Sequence, residues 1–91
     1  MVYSTKRLAH VFKALSNERR MVIIKLLAKD SRSVVDISSK LKISFKAGSF
    51  HLLKMEREGI LEKERKGKFN YYKLTKSFKG SGIFRQISES G

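Results

Sequence analysis

The spacing of apolar residues changes once in this chain, at Gly59, and that change limits what the chain can become. Before Gly59 apolar residues recur every three or four positions, which is helical spacing. After it, Ile60 to Arg65 and Phe69 to Leu74 read as two six-residue strands joined by Lys66-Gly67-Lys68. Several helices followed by one charged-tip hairpin, a wing spanning about 60–74, make a mainly α class with a small β-hairpin. At 91 residues there is room for one domain, residues 1–91, whose small core favours completion by a second copy.

Four helices are predicted before the hairpin. The first spans about 5–15, with Leu8, Val11, Phe12 and Leu15 on one face. Ser16 or Asn17 caps a second, about 17–29, which Met21, Val22, Ile23, Ile24, Leu26, Leu27 and Ala28 nearly encircle; it is expected to be the most buried element. Val22 lies off its main stripe and hints at contact with a partner subunit. Asp30 to Arg32 reads as a break. Ser33 with Asp36 three residues on is a capping-box pattern opening a helix over 33–41, with Val34, Ile37 and Leu41 inward. Lys42-Ile43 is a tight turn, and Ser44 caps a helix over 44–58 that turns Leu52 and Met55 inward and stops at Gly59. A short C-terminal helix within 75–89 carries Phe78, Ile83, Phe84 and Ile87. Gly80 and Gly82 interrupt it, each costing a helix interior about 1 kcal/mol relative to alanine.

Charge narrows the partners. Twenty-one Lys and Arg against eight Asp and Glu leave a net +13, which favours a polyanion. Without cysteine there is no disulfide, thiolate metal site or thiol nucleophile. The two histidines lack ligand spacing, so neither a metal site nor any cofactor is expected. The acids Glu18, Asp30, Asp36, Glu56 and Glu58 fall near helix ends or beside basic neighbours, as caps and surface pairs do, and no catalytic residue is assigned. The longest apolar run, Met21 to Ile24, is far short of the ~20 residues that cross a bilayer. Lys6 and Arg7 lead into an amphipathic stretch rather than a signal peptide, so no membrane partner and a cytoplasmic, nucleoid-associated location are expected.

Helix, helix, short helix, tight turn, helix, hairpin is the order of a winged helix-turn-helix, in which a short helix braces the next for entry into the DNA major groove. Ala14-Leu15-Ser16-Asn17 with Arg20 and Ile23-Ile24-Lys25-Leu26-Leu27, then Ser49-Phe50-His51-Leu52 with Met55 and Gly59-Ile60-Leu61, then Gly67 and Tyr71-Tyr72-Lys73-Leu74, resemble the ArsR-type (arsenic-repressor-like) regulators over residues 8 to 74. The resemblance implies a homodimeric transcription repressor that leaves its operator when an inducer, often a metal ion, binds. Four features depart from that family, one being a terminal dimerisation helix that is shortened and carries Gly80 and Gly82. Lys42 stands where glycine is usual before the recognition helix. The recognition helix carries Phe45, Phe50 and Leu53 where its relatives are polar. The usual metal ligands are absent, and the inducer is unknown.

The expected DNA-contacting residues on the recognition helix are Ser44, Lys46, Ala47, Ser49, Phe50, His51 and Lys54. Lysine can meet guanine or phosphate, Ser49 a phosphate or base, and Ala47 or Phe50 a thymine methyl; His51 matches a family histidine near the DNA backbone. In the wing they are Arg65, Lys66, Gly67 and Lys68. Tyr72 and Leu74 are expected to seal the hairpin to the core. Dimer contacts are expected from Leu8, Val11, Phe12, Ile83, Phe84 and Ile87. The partners so read are double-stranded DNA and a second copy. Two alternatives stay open: a sequence-tolerant architectural DNA- or RNA-binding protein, and a protein-interaction winged helix using Phe50 and Leu53.

Overall fold

The computed structural model describes residues 5, 6, 9, 13 and 17–89. Thr5, Lys6, Ala9 and Lys13 are helical. Leu8, Val11, Phe12 and Leu15, expected on one face of the first helix, lie outside the described residues.

Helix α1 spans Glu18–Leu27 and begins where the Asn17 side chain accepts from the Arg19 amide. It buries Ile23, Ile24 and Leu27, but Val22 is exposed, so the helix is one-sided rather than encircled. The stretch read as a plain break contains a strand, β1, Arg32–Ser33. Two residues carry no readable period; they form a strand only because a distant edge, at Tyr71 and Tyr72, is there to pair with. Arg32 fastens this corner: its Nη1 donates to Asp36 Oδ2 at 2.7 Å and its Nε to the Leu26 carbonyl at 3.4 Å.

Ser33 serves two elements. Its backbone pairs in β1, and its hydroxyl accepts from the Asp36 amide as the cap of α2, Val34–Leu41. Helix α2 ends at Lys42, which adopts φ 56° and ψ 44°, while the Ile43 amide reaches back to the Ser38 carbonyl and that of Lys42 to Ser39. Lysine therefore occupies the left-handed conformation that glycine takes without strain. Helix α3, Phe45–Arg57, is capped by the Ser44 hydroxyl and ends at Gly59 with φ 79°. There the Ile60 amide bonds Met55 O and that of Gly59 bonds Glu56 O, with Ile60 and Met55 both fully buried.

Strands β2 (Leu61–Lys66) and β3 (Phe69–Leu74) pair from Leu61↔Leu74 to Lys66↔Phe69, and the sheet order is β1-β3-β2. The turn is therefore two residues, Gly67-Lys68, shorter by one than the sequence suggested. Gly67 at φ 62° is the only one of the pair with positive φ, the pattern of a type II′ hairpin turn. The C-terminal segment is two helices, not one: α4, Lys76–Lys79, and α5, Gly82–Glu89. Gly80 caps the first and Gly82 opens the second, so neither glycine sits within a helix interior. Between them the Ser81 hydroxyl donates to the Phe78 carbonyl and accepts from the Phe84 amide. Phe78 and Ile87 enter the core beside Ile23, Ile37, Leu52 and Met55.

Candidate nucleic-acid interface

Burial divides α3 cleanly. Gly48, Leu52 and Met55 form the inward stripe; Lys46, Phe50, Leu53 and Arg57, spaced four, three and four residues apart, form the opposite, exposed one. Phe50 is 64% exposed and Phe45, at the first turn, 59%. The inward stripe is seated by a close approach: a Cβ on Gly48 would overlap the Ser38 hydroxyl of α2. That glycine lets the brace and the exposed helix cross without a side chain between them.

The roll of α3 is held by groups on other elements. Arg20 of α1, only 6% exposed, donates from Nε to His51 Nδ1 at 3.3 Å. An accepting Nδ1 places the His51 proton on Nε2. Burial, and then the cations Arg20, Arg19 and Lys54, hold the His51 pKa below the usual histidine value. From β3, the buried Tyr72 hydroxyl donates to Glu56 Oε1 at 3.5 Å. Burial first, and Glu56 second, raise the tyrosine's pKa. Thr75 adds a link at the helix exit, its hydroxyl donating to the Gly59 carbonyl at 2.8 Å.

The wing cations differ from one another. Lys73 is matched across the strands, its Nζ 3.4 Å from Glu62 and 3.6 Å from Glu64. Lys66 lies 3.4 Å from Glu64 and 5.1 Å from the centre of the Tyr71 ring. Those two lysines, Lys66 first, lower the Glu64 pKa. Lys68 instead rests 6.0 Å from the Phe69 ring centre, and Arg65 donates to the Gly67 carbonyl. Lys68, Phe69 and Asn70 share a cleft with Phe45 and Val35, so the wing tip and the first turn of α3 open on the same hollow.

Of the residues singled out from sequence, Lys46 and Phe50 are exposed on the outer stripe, and Lys54, Ala47, Ser49 and His51 are half-buried beside it. Ser44 caps the helix. Arg65, Lys66 and Lys68 surround the turn at Gly67. Tyr72 and Leu74 are buried and seal the hairpin as expected. Ile83 and Phe84 pack partly on the chain's own core, and Ile87 lies within it. Arg20 had no local signal for its role, since His51 lies 31 residues away; the partners of Arg32, Asp36 and the Leu26 carbonyl, are near in sequence, but the strand that positions it was not announced.

Three packed helices, a left-handed turn before an exposed helix, and a cationic hairpin beside that helix define a winged helix-turn-helix regulator. The family model for bacterial regulatory proteins of the arsR family matches residues 17–63, and the chain belongs to that family. The transcriptional activator HlyU of Vibrio cholerae is 34% identical over 65 residues, covering 71% of this chain and 60% of the relative, so the chain spans under two thirds of that protein. The transcriptional repressor SdpR of Bacillus subtilis is 35% identical over 65 residues, covering 71% of this chain and 72% of the relative. Among solved structures, HlyU of Vibrio cholerae superposes with a TM-score of 0.81 at 27% identity, covering 96% of this chain and 94% of that one. A homodimeric winged helix-turn-helix DNA-binding domain from Mycobacterium bovis gives 0.77 at 30% identity, covering 91% and 73%. The family and these relatives are transcription regulators, not enzymes.

Proposed function

We propose that this chain is a homodimeric, sequence-specific regulator of transcription that binds double-stranded DNA, acting in the cytoplasm on the nucleoid as a repressor by occupying its operator. One observation carries the reading: Phe45, at the first turn of the exposed helix α3, and Lys68, at the cationic wing tip, line a common cleft, on a protein of net charge +13. A helix of this width fits the major groove while a cationic hairpin meets the flanking phosphates. In support, a structural relative is described as a homodimeric DNA-binding domain and a sequence relative as a repressor. The Lys46, Ser49, Phe50, His51 and Lys54 side chains are assigned to the DNA face, with Ala47 at its margin and Ser44 fixing the helix start. The dimer contact is assigned to Leu8, Val11 and Phe12 with Ile83, Phe84 and Ile87, the last of which also packs on the chain's own core.

The test is duplex selection from genomic fragments followed by titration at several salt concentrations. A two-fold site with half-sites about 34–36 Å apart is expected. Neutralising four to eight phosphates gives a log–log salt slope of roughly −4 to −7. Specific binding is expected to persist in excess random duplex, and loss of it there identifies a sequence-tolerant binder instead. A monomer by sedimentation, with and without the selected duplex, overturns the dimer. A reporter whose transcription rises when the protein is added overturns repression.

A further inference from the structure

Phe50 is the largest exposed side chain in the interior of α3, and the fold makes no evident use of it. It faces away from the inward stripe, and its only ring neighbour among the described residues is the edge of His51, with centroids 6.2 Å apart. Lys46 lies one turn before it and Lys54 one turn after, in a single i, i+4, i+8 row. Eight residues of helix place the two lysines about 12 Å apart along the axis. With the helix lying in the groove, the long lysine side chains can reach phosphates at either end of the contact while Phe50, on the same face between them, meets base edges. Beside it, Leu53 continues the apolar surface in a hollow rimmed by Lys54, Arg57 and Glu58.

The chemistry of that floor selects the target. In the major groove, thymine alone presents a methyl group, at its 5-position; the other bases are told apart by hydrogen-bond donors and acceptors. Over Phe45 to Leu53 the helix has no Arg, Asn or Gln, and of the side chains that pair in two-pronged fashion with guanine or adenine it carries only Lys46. A cationic row broken by an apolar ring is complementary to phosphates flanking methyl groups. A partner protein would instead have to place acids on both sides of an apolar anchor.

Resting on the duplex-DNA reading above, we infer that Phe50 is a specificity-determining residue that reads thymine 5-methyl groups, with Leu53 extending the contact. Target half-sites accordingly carry thymine beneath the centre of α3.

The experiment compares a selected duplex with the same duplex carrying deoxyuridine for thymine in the half-sites, a change that removes the methyl groups and keeps base pairing. Affinities are measured for the wild-type protein, F50A and F50L, with thermal unfolding of each variant as the folding control. Wild type is expected to lose roughly fourfold in affinity per contacted methyl, and about tenfold or more when both half-sites are changed. F50A should bind the thymine and uracil duplexes equally, and F50L should keep part of the difference. Equal binding of both duplexes by wild type overturns the inference while leaving duplex recognition intact. An undiminished uracil penalty in F50A also overturns it, as does a change in oligomeric state in F50A without a change in base preference, which marks Phe50 as a protein contact. If wild type shows no salt-dependent duplex binding at all, the functional reading itself fails, and this inference with it.

Discussion

Ser38 and Gly48 meet where α2 crosses α3, so closely that a Cβ on the glycine would occupy the space of the serine hydroxyl. The Ser38 Oγ is buried there and makes no hydrogen bond among the described residues. Glycine in mid-helix costs about 1 kcal/mol relative to alanine, and here that cost permits the crossing which presents α3 outward. G48A is therefore expected to destabilise by about 1–3 kcal/mol through overpacking, despite its better helix propensity. S38A removes only the clashing and unpaired hydroxyl. Adding it to G48A should recover most of the loss, because the remaining contact with the Ser38 Cβ is 3.2 Å and yields to a small shift. Urea unfolding of both single variants and the double, at one protomer concentration, gives the coupling; simple additivity would show that the two residues do not interfere.

Lys42 is the described non-glycine residue with positive φ. K42G should relieve left-handed strain, partly offset by the greater freedom of glycine in the unfolded chain. The net gain is expected to be about 0.5–1 kcal/mol, and each kcal/mol raises the melting temperature of a domain this size by roughly 4–8 °C. Calorimetry checks it, and a lower melting temperature would mean that the lysine side chain contributes more than the strain costs.

The His51 pKa is lowered in the fold, burial being the largest cause and Arg20 the next. The unfolded chain therefore binds a proton here more readily than the native one. The contribution of neutral His51 is fully present above its ordinary pKa, about 6.5, and declines as pH falls below that toward the lowered native value. Protonation also removes the acceptor that Arg20 Nε uses. Denaturant midpoints for wild type should fall between pH 8 and pH 5, and H51Q should lose the part of that slope beginning near 6.5. Parallel profiles for the two proteins would clear His51 of the effect.

The wing cations should not contribute equally to DNA affinity. Lys73 is engaged by Glu62 and Glu64, whereas Lys68 lies at the tip over Phe69. Replacing Lys68 with alanine should reduce the magnitude of the salt slope by about one and weaken all sequences alike. K73A should change the slope less, because Glu62 and Glu64 already neutralise that lysine and leave it little charge to offer a phosphate. Equal slopes for both variants would mean that the strand pairing does not discriminate among these lysines.

How much of this was readable depends on the range of the interactions involved. The caps at Asn17, Ser33 and Ser44, the helix stop at Gly59 and the turn at Gly67 each arise within a few residues, between a side chain or free dihedral and its own backbone, so local order along the chain specifies them. The charge excess and the apolar-to-alternating switch likewise reside in residue order, and they sufficed for a winged helix-turn-helix with a basic wing. Strand β1, the Arg20–His51 and Tyr72–Glu56 bonds, the Ser38–Gly48 crossing and the entry of Ile87 into the core join residues far apart in sequence or on separate helices. These exist only once packing has brought the partners within contact distance, and no local pattern encodes that approach. The division of the C-terminal segment stands between the two cases. Gly80 and Gly82 mark a weak point in any helix, but burial of Phe78 and Ile87 on the same core makes two short helices of it rather than one frayed one.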